Sequence, residues 1–242
     1  MSLHTSRFVL AQAPVLGVHQ GSRAEALRRR GVVLFFHGLG AGKEVHEREL
    51  RLFADQGLFA VGVDAVGHGE RRFPDFDARF AEGNPRWMEE FLDVVESTAS
   101  EVSALLDALV EEHGADPARL GVGGVSLGGY ITYAALVREQ RLRAAVPFLG
   151  SPEWGLPRPA SPHHHLKRFF PTALFSQTGG QDDVVPPGPA KALHARLEPL
   201  YAQAPERLRH REFPESGHMM READWHEATR DAADWLSHFL LR

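Results

Sequence analysis

Three features of the sequence predict an α/β fold: a mostly parallel central sheet with helices on both faces. Short apolar runs rich in Val, Leu and Phe recur along the chain, as strands buried on both faces require. Stretches with apolar residues at helical spacing separate them. Glycine-rich turns follow several of the runs. The alternation holds from residue 32 to the end, which implies right-handed crossovers and one domain over residues 1–242. The 242 residues are 43% hydrophobic and 24% charged, proportions of an ordinary globular chain and not of a disordered or coiled-coil one. A chain this long buries enough surface to need no disulfide or metal for stability.

Each element follows in order. Residues 5–20 read as two extended runs joined near Pro14, an antiparallel hairpin. Arg28-Arg29-Arg30-Gly31 reads as a solvated turn. Val32 to Phe36 is continuously apolar and β-prone, and a turn with Gly38, Gly40 and Gly42 follows it. Residues 43–56 read as a helix with Val45, Leu50, Leu52 and Phe53 turned inward. Leu58 to Val63 is a buried strand ending at Asp64. Residues 65–86 form a long loop. The clearest helix spans 87–113, with Trp87, Met88, Phe91, Val94, Val102, Leu106 and Leu109 on one face. His113-Gly114 closes it, a basic residue before a helix-ending glycine. Leu120 to Val125 is a strand that runs into Ser126, and a helix follows from Leu127 to about Glu139. Residues 143–148 are a strand. Residues 151–170, rich in Pro and His, have no period and read as a short, lid-like insertion. Then come a strand (Thr172 to Gln177), a helix (189–203), a strand (Leu208 to Phe213) and a last helix (221–241).

Charge and composition remove several classes of function. The net charge of -5 argues against a nucleic-acid partner or a polybasic membrane surface. The absence of cysteine excludes thiolate metal sites and a cysteine nucleophile. No run approaches the roughly 20 apolar residues of a membrane span, and the first residues lack a signal-like apolar stretch. A cytoplasmic protein without a membrane partner is expected, either monomer or homodimer.

Gly124-Val125-Ser126-Leu127-Gly128 carries the chemistry. G-x-S-x-G between a strand and a helix is a nucleophile elbow, a sharp turn that exposes the serine hydroxyl above the sheet edge. The flanking glycines leave room for strand and helix to approach. A serine hydroxyl needs a base, and the base needs an orienting acid. His218 lies in a loop between the last strand and the last helix and is the best base. The acid belongs to the loop after the preceding strand, where Asp182 and Asp183 compete.

With these blocks in place the chain resembles the α/β-hydrolases, most closely small bacterial serine esterases of the dienelactone-hydrolase and prolyl-oligopeptidase-like group. His37-Gly38-Leu39-Gly40 resembles the H-G-x-G turn after the third strand, and Asp64-Ala65-Val66-Gly67-His68-Gly69-Glu70 the loop after the fourth. The serine elbow and the Asp and His loops complete the pattern, which spans nearly the whole chain. The resemblance aligns Gly179 with a family glycine and so favours Asp182 as the acid. It implies an oxyanion hole from the backbone N–H groups of Leu39 and Leu127. It implies a Ser126-Asp182-His218 triad acting on a small carboxylic ester through an acyl-enzyme, with no metal or organic cofactor. Thioester, lactone and peptide cleavage on the same triad remain open, as does a silent binding module. His37 and His68 are expected to brace loops.

Rival motifs fail on spacing. A phosphate-binding loop ending at Gly42-Lys43 needs glycine at position 37, which is His37, and Ser or Thr at 44, which is Glu44. His163-His164-His165 cannot all turn toward one ion, and a solvated loop is expected. Pocket walls are expected from Trp154, Leu156, Phe169 and Met219, with Phe170 beside them and Phe73, Phe76 and Phe80 as further candidates. The lack of a large lid points to small, accessible substrates.

Overall fold

The computed structural model describes residues 2–242. Eight strands form one sheet: β1 (Leu3–Leu10), β2 (Ala13–Gln20), β3 (Val32–Phe36), β4 (Phe59–Val63), β5 (Leu120–Val125), β6 (Leu142–Phe148), β7 (Ala173–Gly179) and β8 (Leu208–Phe213). Their order is β1-β2-β4-β3-β5-β6-β7-β8. The β1–β2 and β2–β4 pairs are antiparallel, and the other neighbours are parallel. Among the described residues seven α-helices accompany the sheet: α1 (Arg23–Arg29), α2 (Glu47–Asp55), α3 (Phe76–Arg79), α4 (Trp87–Asp107), α5 (Leu127–Arg138), α6 (Gly188–Leu197) and α7 (Glu222–Leu240).

Alternate residues of the central strands feed two cores, as a pleat of period two requires. On one face Leu34, Val61 and Val122 pack with Leu92, Leu106, Ile131 and Leu193 under α4, α5 and α6. On the other Val33, Phe35 and Val146 pack with Leu50, Phe53 and Leu236 under α2 and α7. Because β3 to β8 run parallel, the loops after β3, β4, β5, β7 and β8 gather at one edge. Open α/β sheets place their sites there. Among the described residues no helix is long and apolar enough to cross a membrane.

Several boundaries differ from expectation for local reasons. The hairpin turns at Ala11, which takes φ +51, while Pro14 sits inside β2. Its missing N–H costs nothing to the β2–β4 ladder, which begins at Val15. Arg28 and Arg29 end the short helix α1, whose Ala26 and Leu27 are buried; two apolar residues are too few to register as a period. The stretch 43–56 opens with a 3-10 turn (Lys43–His46), so Val45 faces outward instead of joining the core. The long helix ends in a π-helical turn (Ala108–Glu112) before Gly114 at φ +73. Residues 65–86 are not a bare loop: a 3-10 turn (Gly69–Arg71) and α3 fold within them.

Candidate active site

Ser126 stands at the tip of β5 with φ 55 and ψ -112, a backbone conformation that L-residues rarely adopt. Crowding holds it there. A Cβ on Gly124 would stand 2.6 Å from the Gly128 carbonyl, and one on Gly128 only 2.1 Å from the Phe36 carbonyl. Ser126 N–H donates to the Phe148 carbonyl at 2.9 Å, and the Ser126 carbonyl accepts from Tyr130 N–H at 3.0 Å. Strand, turn and helix are thus fixed from three sides.

Two loops bring the partners. Gly180 N–H donates to the Phe213 carbonyl at 2.8 Å and Gln181 N–H to the Ser216 carbonyl at 2.9 Å, sewing the loop after β7 to the loop after β8. A Cβ at Gly179 would lie 2.6 Å from the Ser216 carbonyl and one at Gly180 2.7 Å from Pro214 Cα, so the approach requires both glycines. Asp182 is buried and Asp183 exposed. Asp182 Oδ1 accepts the N–H groups of Val184 (3.0 Å) and Val185 (2.8 Å), and Oδ2 faces His218 Nδ1 at 2.8 Å. With Oδ1 saturated by donors, Asp182 acts as a carboxylate, and the His218 proton belongs on Nδ1. His218 Nε2 then accepts from Ser126 Oγ at 2.9 Å. The geometry joins Ser126, His218 and Asp182 in one chain and leaves Asp183 outside it.

The turn after β3 lies beside Ser126. A Cβ added to Gly38 would stand 3.9 Å from Ser126 Cβ. His37 braces the turn: Nδ1 donates to the Gly38 carbonyl at 2.8 Å, and Nε2 accepts from Ala65 N–H at 3.1 Å. Burial pushes the His37 ring down to about 4, so it stays neutral. His68 is also buried and held below the usual histidine range by desolvation, with Nδ1 donating to the Val66 carbonyl at 3.0 Å. Burial likewise pushes His194, which bonds Ser176 Oγ at 2.8 Å, down to about 3.

Lys43, which a nucleotide-binding reading would have turned toward phosphate, is instead a buried tie. Its Nζ donates to Asp64 Oδ2 at 2.8 Å and Glu70 Oε1 at 2.6 Å, and its N–H donates to Asp64 Oδ1 at 2.8 Å. Asp64 Oδ2 also accepts from Glu70 N–H at 3.0 Å. Burial opposes both charges, but these hydrogen bonds raise Lys43 above the ordinary lysine value and hold Asp64 below the ordinary carboxylate value. The knot locks the loops after β3 and β4 together. The sequence shows a lysine after one strand and an aspartate ending the next, but only the pairing of β3 with β4 brings them together.

The triad opens into a cavity of about 440 Å³. Its walls are not those expected from the sequence, Met219 apart. Met219 lines it, whereas Trp154 and Phe169 are buried in the core and Leu156 lies exposed on the surface. The walls are Trp87, Met88, Phe91, Tyr130, Leu149 and Val185. Segment 151–170 is clamped down beside α4, with Arg158 paired to Asp93 at 2.8 Å and Glu96 at 3.0 Å. It backs the wall, Gly155 lying against Met88, and does not line the cavity. Phe76 and Phe80 form a second layer: Phe80 meets Trp87, Trp87 stacks on Phe91 at 5.3 Å, and Phe91 meets Tyr130 edge-on at 5.0 Å. His163 is held by Ser161 at 2.9 Å and His165 by the Pro159 carbonyl at 2.8 Å. Among the described residues no cluster of three or more His, Asp or Glu side chains is placed to hold a metal ion.

Comparison with known proteins bears on this arrangement. Residues 28–177 match a family of hydrolases described as serine aminopeptidase, S33. The chain is 26% identical over 219 residues to YitV of Bacillus subtilis (strain 168), provisionally named an esterase, covering 76% of this chain and 82% of that protein. TT1662 from Thermus thermophilus superposes with a TM-score of 0.83 at 23% identity, covering 100% of both chains. A provisionally named dienelactone hydrolase from Klebsiella pneumoniae subsp. pneumoniae MGH 78578 superposes with a TM-score of 0.76 at 17% identity, covering 99% of this chain and 100% of that one. The two structures share the α/β-hydrolase fold with this chain.

Proposed function

The chain belongs to the serine aminopeptidase S33 family of serine hydrolases, and from that premise we propose that it hydrolyses carboxylic esters with apolar acyl groups. One observation carries the reading: Ser126 Oγ, His218 and Asp182 are linked at 2.9 and 2.8 Å at the base of an open apolar cavity. His218 takes the Ser126 proton as Oγ attacks the ester carbonyl, and Asp182 stabilises the imidazolium. The N–H groups of Leu39 and Leu127 receive the oxyanion, each such donor being worth roughly 10²–10³ in rate. The bond from acyl carbon to alcohol oxygen breaks, and His218 delivers its proton to the leaving oxygen. Water then attacks the acyl-enzyme with His218 again as base, releasing the acid.

Two features favour an ester over an N-terminal amine as substrate. No carboxylate is among the described residues that line the 440 Å³ cavity at Ser126 itself, Glu222 bordering only the adjoining space, so nothing beside the nucleophile pairs a substrate ammonium. Its mouth is apolar: of six exposed large hydrophobic side chains among the described residues, Val45, Val184 and Met219 all border it. The reading extends to the cytoplasm as its place of action, supported by the absence of cysteine.

The test is hydrolysis of p-nitrophenyl esters from acetate to laurate by the wild type and by Ser126→Ala. Hydrolysis of short and medium esters that disappears in the variant supports the proposal. Equal rates in both proteins, or cleavage of amino-acid anilides with none of esters, would overturn it.

A further inference from the structure

One buried carboxylate takes part in no step above. Glu49, on α2, is buried, and its Oε1 accepts from Trp225 Nε1 at 2.9 Å while Oε2 faces His46 Nδ1 at 3.3 Å. Burial alone would raise its carboxyl; the His46 and Trp225 hydrogen bonds hold it below the usual range instead. A carboxylate only accepts, so His46 keeps its proton on Nδ1 and offers Nε2 as an acceptor. Trp225 is further fixed by Phe148, whose ring centroid is 5.3 Å away.

His46 and Trp225 border a second lobe of about 290 Å³, closed by Met219, Met220 and Glu222. It meets the larger lobe at His46, Val125, Leu149, His218 and Met219. The two differ in which part of the chemistry they touch. Both are bounded by His46 and His218, but only the larger is also bounded by Ser126 and the Gly38-Leu39 turn. During acyl transfer the carbonyl must lie between nucleophile and oxyanion donors, and the departing oxygen must face the base that protonates it. We propose that the smaller lobe is the leaving-alcohol subsite, with Trp225 as a flat wall and His46 Nε2 as the acceptor for a hydroxyl on that alcohol. The substrate class is then an ester of a flat, preferably aryl, alcohol bearing a second hydroxyl. This rests on the ester-hydrolase reading.

Three butyrates share one acyl group: 3-(hydroxymethyl)phenyl, 3-ethylphenyl and ethyl butyrate. The wild type should favour the hydroxymethyl ester over its ethyl counterpart by about fivefold in kcat/KM, the worth of one modest hydrogen bond. His46→Phe should bring that ratio to about one. Trp225→Ala, and independently Met220→Trp, which fills the lobe without touching Glu49, should lower the aryl-to-ethyl ratio about tenfold. Ratios within one protein cancel general damage to the triad. A wild-type ratio near one, ratios unmoved by these substitutions, or a shift in acyl-chain preference instead would overturn the assignment. Saturation-transfer NMR of 3-(hydroxymethyl)phenol with Ser126→Ala reads the lobe without catalysis. A signal there that Met220→Trp abolishes supports the subsite even if no ester is cleaved; no signal, or one Met220→Trp leaves unchanged, overturns it.

Discussion

Around Ser126 the backbone is packed to contact, and a single methyl on Gly128 would stand 2.1 Å from the Phe36 carbonyl. Across the cavity the surfaces are side chains: Trp87 stacked on Phe91, Tyr130 edge-on to it, and Met219 almost wholly exposed. The elbow tolerates no added atom, while the wall can change shape one side chain at a time. The Ser126 turn is therefore fixed by main-chain geometry, and the shape of the cavity by side chains. Replacements on the elbow side should abolish activity or folding; replacements on the wall should redistribute activity among substrates.

The sharpest break is Ser126→Ala. It should lower kcat/KM on short esters by roughly 10⁵–10⁶ while the thermal midpoint stays within a few degrees, measured by stopped assays and calorimetry. Next come the paired aspartates. Asp182→Asn should cost about 10⁴ in kcat through the wrong His218 tautomer, whereas exposed Asp183→Asn should stay within about twofold. The reverse order would move the acid by one residue.

The knot beneath the turn tests whether the frame itself is electrostatic. Lys43→Met leaves Asp64 charged and buried and should destabilise by about 3–5 kcal/mol at pH 7 in urea melts. The sign is set by the shifts. Asp64 is held low, so its share is present above the unfolded value near 3.9 and lost as pH falls through the folded one. Lys43 is held high, so its share is present below about 10.4 and lost as pH rises through its folded value. The gap between wild type and a Lys43→Met/Asp64→Asn double variant should thus narrow at both extremes.

A smaller effect comes from His37, neutral in the fold with its ring pushed down to about 4. Protons favour the unfolded chain below about 6.5, so stability declines as pH falls from there toward 4, by up to about 3 kcal/mol for this residue. His37→Gln should flatten that part of the stability–pH curve. The smallest change is on the wall: Trp87→Ala should shift preference among acyl chains by about tenfold in kcat/KM, with activity retained on the favoured ester.

The central strands, the serine turn and the loop that carries His218 were legible because each rests on a local rule. Val32 to Phe36 and Leu120 to Val125 could only be strands buried on both faces. Gly124 and Gly128 announced a turn with no room for side chains, and His218 stood alone in a loop at a strand's end. Asp182 and Asp183 could not be separated from local chemistry, since burial of one and exposure of the other depend on how the loop after β7 meets the loop after β8. The expected walls, Trp154, Leu156 and Phe169, were drawn from the aperiodic segment 151–170, read as a short lid. The walls found come from α4, α5 and the loops after β6 and β7, which the fold brings together around Ser126. The ties that Lys43 and Glu49 make escaped notice because a charge gives no sign of burial until its partners, Asp64 and Trp225, are brought to it.

By itself the sequence determined the parallel α/β architecture and the strained serine turn, because hydrophobic period and glycine placement act over a few residues. Only the tertiary structure decided which aspartate meets His218, which aromatics face Ser126 and which charges are buried. Those depend on contacts between segments as far apart as Glu49 and Trp225, and no local pattern encodes the meeting of distant side chains.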